Sequence, residues 1–213
     1  MLPMSARAEL KSLPKDLADT VGAHLVAAGE LIDEDPQLAY RHAEAARRRA
    51  ARLPIVREAA AEAAYAAGEY AAALREYRAL RRMSGSYEYV PVIADCERAM
   101  GRPRAAIELI AETPLDKLSP LQRVELLLVE AGARSDMGQR DEALRLLQNA
   151  ITRGAGPKFG QARLRFAYAE LLIEAGHTAK AVEWLEAAKR FDEDDELGID
   201  ERIEELGADG EAD

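Results

Sequence analysis

Apolar residues along most of the chain recur at the spacing of an α-helix. The first clear series is Leu17, Val21, Leu25, Ala28 and Leu31, which lie on one side of a helix. No segment alternates polar and apolar residues long enough to indicate a strand. The pattern predicts an all-α protein with helices at about 17–32, 36–52, 54–67, 69–82, 87–99, 102–111, 119–137, 139–153, 158–175 and 177–190, and a short terminal piece at 199–206.

One short pattern recurs along these helices at a spacing close to 34 residues. Its clearest copy runs from Gly68 to Tyr77, and its most regular feature is a small residue five positions after a glycine. The spacing of this small residue predicts stacked helix pairs, because repeats of this length are typical of such arrays. The small residue falls at Ala39, Ala73, Ala106, Ala143 and Ala181.

Glycines and prolines mark the ends of the predicted helices. Glycine at the junction within a pair supplies the left-handed residue that a tight turn needs. Proline suits the first position of a helix, where its missing N–H leaves no hydrogen bond unmade. The turn glycines are Gly68, Gly101, Gly138 and Gly176, and the opening prolines are Pro36, Pro54, Pro103, Pro120 and Pro157.

The pattern resembles the tetratricopeptide repeat, whose second-helix signature reads Gly-x-aromatic-x-x-Ala-Leu-x-x-Tyr/Phe. The copy that matches it fully has Gly68, Tyr70, Ala73, Leu74 and Tyr77. The other copies diverge, and the family's early Trp-x-x-Leu-Gly element is missing from all of them. Pro103, Arg140 and Thr178 replace the aromatic residue of the second helix. The resemblance covers about residues 17–190.

The resemblance implies a right-handed superhelical solenoid of about five antiparallel helix pairs. First helices would line a concave groove that holds a peptide or partner protein, and such domains are rarely catalytic. The family also places a small residue in each first helix, which here falls at Ala27, Ala61, Ala94, Ala131 and Ala169.

The same geometry assigns side chains to the groove. Acidic groups outnumber basic ones among them, which favours a basic or mixed peptide; an ordinary solvated face of charged helices is the alternative. The predicted contact residues are Glu62, Tyr65, Asp95, Arg98, Asp136 and Glu170, with Glu58, Arg163 and Ile173 on the same face.

Arginines form the strongest local charge feature, here called the arginine ridge. Its members are Arg41, Arg47, Arg48, Arg75, Arg81 and Arg82, and the repeat spacing brings those of one unit near those of the next. One interpretation is a convex surface for RNA or a ribonucleoprotein. The other is helix-end cations that complement the helix dipole and pair with neighbouring acids, including Glu44 and Glu76. Nucleic-acid binding is the alternative function.

The net charge of −10 is concentrated in an acidic tail. Of the 39 Asp and Glu residues, 12 lie in residues 191–213 with a single Arg, which leaves 27 acidic against 28 basic side chains elsewhere. The tail could solvate and cap the array through a short helix, fold onto the arginine ridge, or bind a basic partner. The expected organisation is therefore a poorly ordered N-terminal segment at 1–16, a repeat domain at 17–190 and this tail.

Catalysis and cofactor binding find little support in the sequence. The histidines His24, His42 and His177 are assigned to separate units, and Cys96 is expected to be a packing residue. The glycine-rich segment 154–160 lacks the ending of a phosphate loop. No enzyme activity, cofactor, metal, membrane span or secretory signal is expected, and the expected location is the cytoplasm. The oligomeric state does not follow from the sequence.

Overall fold

The computed structural model describes residues 2–210 of the chain, with side chains through Gly207. This range contains α-helices, one short 3-10 helix at Leu115–Lys117 and no strand, so the all-α prediction is confirmed there. The helices are α1 Met4–Leu10, α2 Lys15–Leu31, α3 Pro36–Ala50, α4 Pro54–Ala66, α5 Tyr70–Ser84, α6 Val90–Ala99, α7 Pro103–Ala111, α8 Pro120–Asp136, α9 Arg140–Thr152, α10 Lys158–Glu174, α11 Thr178–Lys189 and α12 Ile199–Gly210.

The chain divides into two units, Met1–Arg102 and Pro103–Asp213. In the first unit, α2 pairs with α3 and α4 with α5; in the second, α8 pairs with α9 and α10 with α11. The first helices of successive pairs also contact each other, α2 with α4 and α8 with α10. Stacked helix pairs are therefore present within each unit. The helices of the third predicted pair belong to different units, α6 to the first and α7 to the second.

The turns within the pairs use the predicted glycines. Gly68, Gly101, Gly138 and Gly176 all have φ between 73° and 77°, in the left-handed region that favours glycine. Four of the five predicted prolines are the first residues of their helices, at α3, α4, α7 and α8. Pro157 instead precedes α10, which begins at Lys158.

Alanines occupy the positions where paired helices cross. The predicted second-helix residues Ala39, Ala73, Ala106, Ala143 and Ala181 all have 0% exposure. In the first helices, Ala61, Ala94, Ala131 and Ala169 are buried as predicted. The prediction for Ala27 is wrong by one position, because Ala28 is the buried residue and Ala27 is only half-buried. Ala27 and Ala28 are adjacent, so the repeat spacing did not distinguish between them.

The N-terminal segment is ordered, contrary to the expectation for residues 1–16. Ala6 and Leu10 of α1 are buried, and Leu10 joins the core that contains Val21. The carboxylate of Glu9 also accepts a hydrogen bond of 3.1 Å from the backbone N–H of Ile55, in the first turn of α4. Packing onto α2 and this contact with α4 hold the segment in place.

The acidic region after α11 packs onto the last helix pair. Ile199 and Leu206 of α12 are buried in one core with α10 and α11. Asp192 shapes the preceding turn by accepting the backbone N–H groups of Glu196 and Leu197 at 3.1 and 3.0 Å. Ion pairs of this region join Glu193 to Lys158, Asp200 to Lys189, and Arg202 to both Glu170 and Glu205. Residues 211–213 of the predicted tail lie outside the described residues.

Two histidines face each other within the first helix pair, although the sequence assigned them to separate units. The Nδ1 atoms of His24 on α2 and His42 on α3 lie 3.0 Å apart, which is a hydrogen bond when one ring donates and the other accepts. Burial, followed by the nearby charges of His42 and Arg49, lowers the pKa of His24 below its ordinary value of 6.5. The pair is therefore most stable when His24 is neutral.

Replacing a crossing alanine should destabilise the fold. Ala73→Leu is expected to lower the free energy of unfolding by about 1–3 kcal/mol, because the space around the buried methyl group cannot accept a larger side chain. Urea unfolding followed by circular dichroism measures the change. Ala71→Leu is the matched control, since Ala71 is exposed on the same helix; equal unfolding midpoints for the two variants would contradict the crossing role.

The histidine pair should make stability depend on pH. Because the folded-state pKa of His24 lies below that of the unfolded chain, the unfolded state takes up the proton first, and stability should fall as the pH drops through about 6.5. His24→Gln should flatten this decline, whereas His177→Gln, at an exposed position, should keep it. Urea midpoints measured from pH 8 to pH 5.5 test this; an unchanged slope in His24→Gln would refute it.

Candidate functional site

Carboxylates and tyrosines of α4 and α6 gather on one face of the first unit, here called the acidic–aromatic cluster. It consists of Glu58, Glu62, Tyr65, Tyr89 and Asp95. The hydroxyl of Tyr65 donates a hydrogen bond to Asp95 Oδ2, and the hydroxyl of Tyr89 donates one of 3.0 Å to Glu58 Oε1. Both bonds join α4 to α6 or to the residue just before it. Of the predicted contact residues, Glu62, Tyr65 and Asp95 therefore lie on one face, together with Tyr89, which the sequence did not identify.

Helical spacing and ring packing hold the cluster in position. Glu58, Glu62 and Tyr65 are separated by four and three residues, so that they lie along one side of α4. The Tyr65 ring packs edge-on against Tyr70 at a centroid distance of 5.6 Å. Tyr89 lies 5.8 Å from Tyr77, which is buried on α5. The tyrosine hydroxyls are thus presented by rings that cannot move freely.

Two carboxylates of the cluster, Glu58 and Glu62, lie close enough to influence each other's charge. Burial, and then the neighbouring Glu58 carboxylate, raise the pKa of Glu62. No hydrogen bond or ion pair from the described side chains offsets this charge, although Glu62 remains exposed to solvent. Burial also raises the pKa of Tyr65 and Tyr89, which keeps both hydroxyls protonated as hydrogen-bond donors.

The other predicted groove residues differ in their surroundings. Arg98 donates to Asp95 Oδ1 at 2.8 Å and so extends the cluster along α6. Asp136 ends α8 in the second unit and is exposed. Glu170 is already occupied, because Arg202 of α12 donates to both of its carboxylate oxygens at 2.9 and 3.0 Å. Within the first unit, four of the predicted contact residues, Glu62, Tyr65, Asp95 and Arg98, therefore lie on one face.

Half of the arginine ridge is paired with acidic side chains. Arg47 binds Glu44 at 2.6 and 2.8 Å, and Arg48 binds the same carboxylate at 3.1 Å. These bonds from Arg47 and Arg48 lower the pKa of Glu44 to about 2, although burial opposes the shift. Arg75 binds Glu76 at 3.0 Å. The ion-pairing interpretation of the ridge thus describes these three arginines.

Buried Glu76 is the centre of the largest ion-pair network of the ridge. Its carboxylate is 2% exposed and accepts a hydrogen bond from Arg57 of α4 as well as from Arg75. Arg47 of α3 lies 3.8 Å away. This carboxylate therefore joins three helices, which is a structural role.

The remaining ridge arginines are less constrained. The guanidinium of Arg81 lies 5.1 Å from the centre of the Tyr87 ring, a cation–π arrangement. Arg81 and Arg82 line an open depression of about 300 Å³ at the end of α5, together with Arg78 and Tyr87. Arg41 is exposed on α3. Any anion bound by this unit would meet Arg81 and Arg82 first.

Groups that could carry catalysis are not assembled in the part of the chain that the structure describes. Cys96 is buried, and burial raises the pKa of its thiol to about 12, so the thiolate does not form at neutral pH. Among the described side chains, no three His, Cys, Asp or Glu residues are placed to hold one metal ion. None of the described helices combines the length and apolar character needed to cross a bilayer.

Comparison with known proteins agrees with this architecture. Residues 135–198 match the family model for the tetratricopeptide repeat. A thermophilic TPR protein of Thermus thermophilus has a similar fold, with a TM-score of 0.63 and 18% sequence identity over 87% of this chain and 98% of that one. No curated protein matches the sequence.

The family match over residues 135–198 and the shared fold agree with the resemblance seen in the sequence: this segment matches the tetratricopeptide repeat, and the chain has a fold similar to that of a TPR protein. Proteins of this kind generally serve as scaffolds for protein–protein interaction.

Removing the charge of Glu76 should destabilise the first unit. Glu76→Gln is expected to cost about 2–4 kcal/mol, because it leaves half-buried guanidinium groups without their counter-charge. Glu34→Gln, at an exposed turn position, should stay within about 0.5 kcal/mol of the parent. Urea unfolding measures both; a Glu76→Gln variant as stable as Glu34→Gln would show that the network contributes nothing.

Proposed function

We propose that the protein is a non-enzymatic scaffold that binds a basic segment of a partner protein on the acidic–aromatic cluster. The observation that carries the proposal is Glu62, a carboxylate with a raised pKa beside Glu58 and with no described group to balance it. A lysine or arginine of the partner would supply the missing charge. Tyrosine rings next to carboxylates also favour guanidinium and ammonium groups.

The arrangement suits a peptide segment better than an isolated cation. Glu62 and Asp95 belong to successive first helices, so that an extended chain crossing both could place a basic residue on Glu62 and a polar group beside the Asp95–Arg98 pair. Because the helices are already packed and the rings already fixed, the receptor loses little freedom on binding. Such preorganisation is the usual advantage of a repeat scaffold.

The chain itself supplies an example of the contact that we propose. Glu170, at the equivalent face of the last pair, accepts both bonds of the Arg202 guanidinium. Bidentate pairing of this kind is specific in geometry as well as in charge. Arg98 remains a proposed contact at the edge of the acidic–aromatic cluster, and Asp136 remains a contact proposed from the sequence for the second unit.

The alternative function, binding of RNA or a ribonucleoprotein, is restricted to fewer residues than the sequence suggested. Pairing of Arg47, Arg48 and Arg75 with acids leaves Arg81 and Arg82, beside Tyr87, as its best-supported contacts. An anion held by these groups would bind with strong dependence on salt. The first candidate is preferred because its charged group has no partner among the described side chains.

Binding of labelled peptides tests the proposal. The probe is a set of fluorescein-labelled 12-residue peptides with two lysines or arginines in a Gly/Ser background, measured by fluorescence anisotropy. Glu62→Gln and Tyr65→Ala should each weaken binding about tenfold, which corresponds to about 1.4 kcal/mol. Binding should also weaken at acidic pH, where Glu62 takes up a proton.

The controls separate this site from general charge attraction and from the ridge. Glu183→Gln removes the same charge from an exposed position of α11 and should leave affinity unchanged. Arg81→Glu together with Arg82→Glu should also leave peptide affinity intact. Parent-like affinity in Glu62→Gln and Tyr65→Ala, combined with oligouridine binding that the two arginine changes abolish, would overturn the proposal in favour of RNA binding.

A further inference from the structure

An apolar pocket of about 230 Å³ opens between α2, α4 and the N-terminal segment, within the first unit. Its walls come from all three elements, and the carboxylate-bearing residue Glu62 stands at its edge. The principal lining residues are Leu2, Leu25, Ile32, Ile55, Ala59 and Ala63. The pocket therefore shares one residue with the acidic–aromatic cluster.

Small residues on α2 leave the pocket open. Gly29 belongs to its lining, and a Cβ atom added there would meet nothing within 4 Å. An open apolar recess of this size has room for one aliphatic side chain.

The charges around the pocket are acidic. Glu62 has a raised pKa and no described partner, and Glu30 lines a neighbouring recess together with Leu2 and Leu25. An apolar recess beside unbalanced carboxylates is complementary to an apolar side chain that has a basic residue close to it in sequence. Neither a purely basic segment nor a purely apolar one would use both features.

We infer that this pocket anchors a leucine-sized side chain of the partner segment whose adjacent lysine or arginine binds Glu62. The inference rests on the proposed function, because the same face would recognise the basic residue and the leucine-sized side chain next to it. The pocket sets specificity among basic segments, while the cluster supplies the charge attraction. Basic segments without the apolar residue would bind more weakly and with less selectivity.

The test is a peptide array in which the apolar residue is moved relative to the basic one. Each 12-residue peptide carries one Lys–Arg pair in a Gly/Ser background, and a single Leu is placed at each position up to four residues away on either side. The parent protein should prefer Leu over Ser at least fivefold at one or two positions. Gly29→Leu adds an aliphatic side chain to the lining at a position where the new Cβ atom meets no other atom, and it should abolish that preference and keep the preference for basic residues.

Two further variants make the outcomes distinguishable. Gly207→Leu, the same change at an open helical position of α12, should keep both preferences. Glu62→Gln should reduce the preference for basic residues while Leu is still preferred. If basic peptides bind but Leu does not increase their affinity, or if Gly29→Leu leaves the Leu preference intact, the pocket inference fails and the proposed function stands. If no basic peptide binds, the proposed function fails, and this inference fails with it.

Discussion

The close approach of paired helices at an alanine is the constraint on which the rest of the structure depends. At Ala73 or Ala143 the side chain is a single methyl group with no exposed surface, so that a larger side chain has no free space between the packed helices. A helix held in this way has one position relative to its partner. The proposed contact residues Glu62 and Tyr65 are held in position in the same way, because they lie on the same helix as the crossing residue Ala61.

Close packing of helices also determines how the charged residues between them are paired. Arg57 and Glu76 are joined from α4 to α5, and Arg78 and Glu97 are joined from α5 to α6, in both cases 19 residues apart. Both carboxylates are nearly inaccessible to water, and buried charges persist in proteins only where they are paired. Arg57 and Arg78, which lie close in sequence to the arginine ridge, therefore hold successive helices together, and of the ridge itself Arg47 reaches the same Glu76 carboxylate.

Features that repeat along the chain could be predicted from the sequence, whereas features that join distant segments could not. The turn glycines and crossing alanines follow from spacing alone, since each copy reports the same local geometry. Helix α1 was not predicted because it is held in place by the burial of Leu10 and by the contact between Glu9 and Ile55, 46 residues away. His24 and His42 were separated for the same reason: only the pairing of α2 with α3 brings them together. The groove residues were found in the first unit, but the occupation of Glu170 by Arg202 depends on how α12 packs.

The distribution of paired and unpaired charges indicates the sign of the partner. Where this fold needs an ion pair for stability, it supplies both members, as it does for Glu76. Glu62 has no such partner among the described side chains and lies, exposed to solvent, beside another carboxylate and next to an open apolar pocket. Two adjacent like charges and exposed apolar surface are both unfavourable in the free protein, and consistent sequences keep such conflicts mainly where function requires them. A basic segment with one apolar residue would relieve both conflicts at once, and an anionic partner would relieve neither.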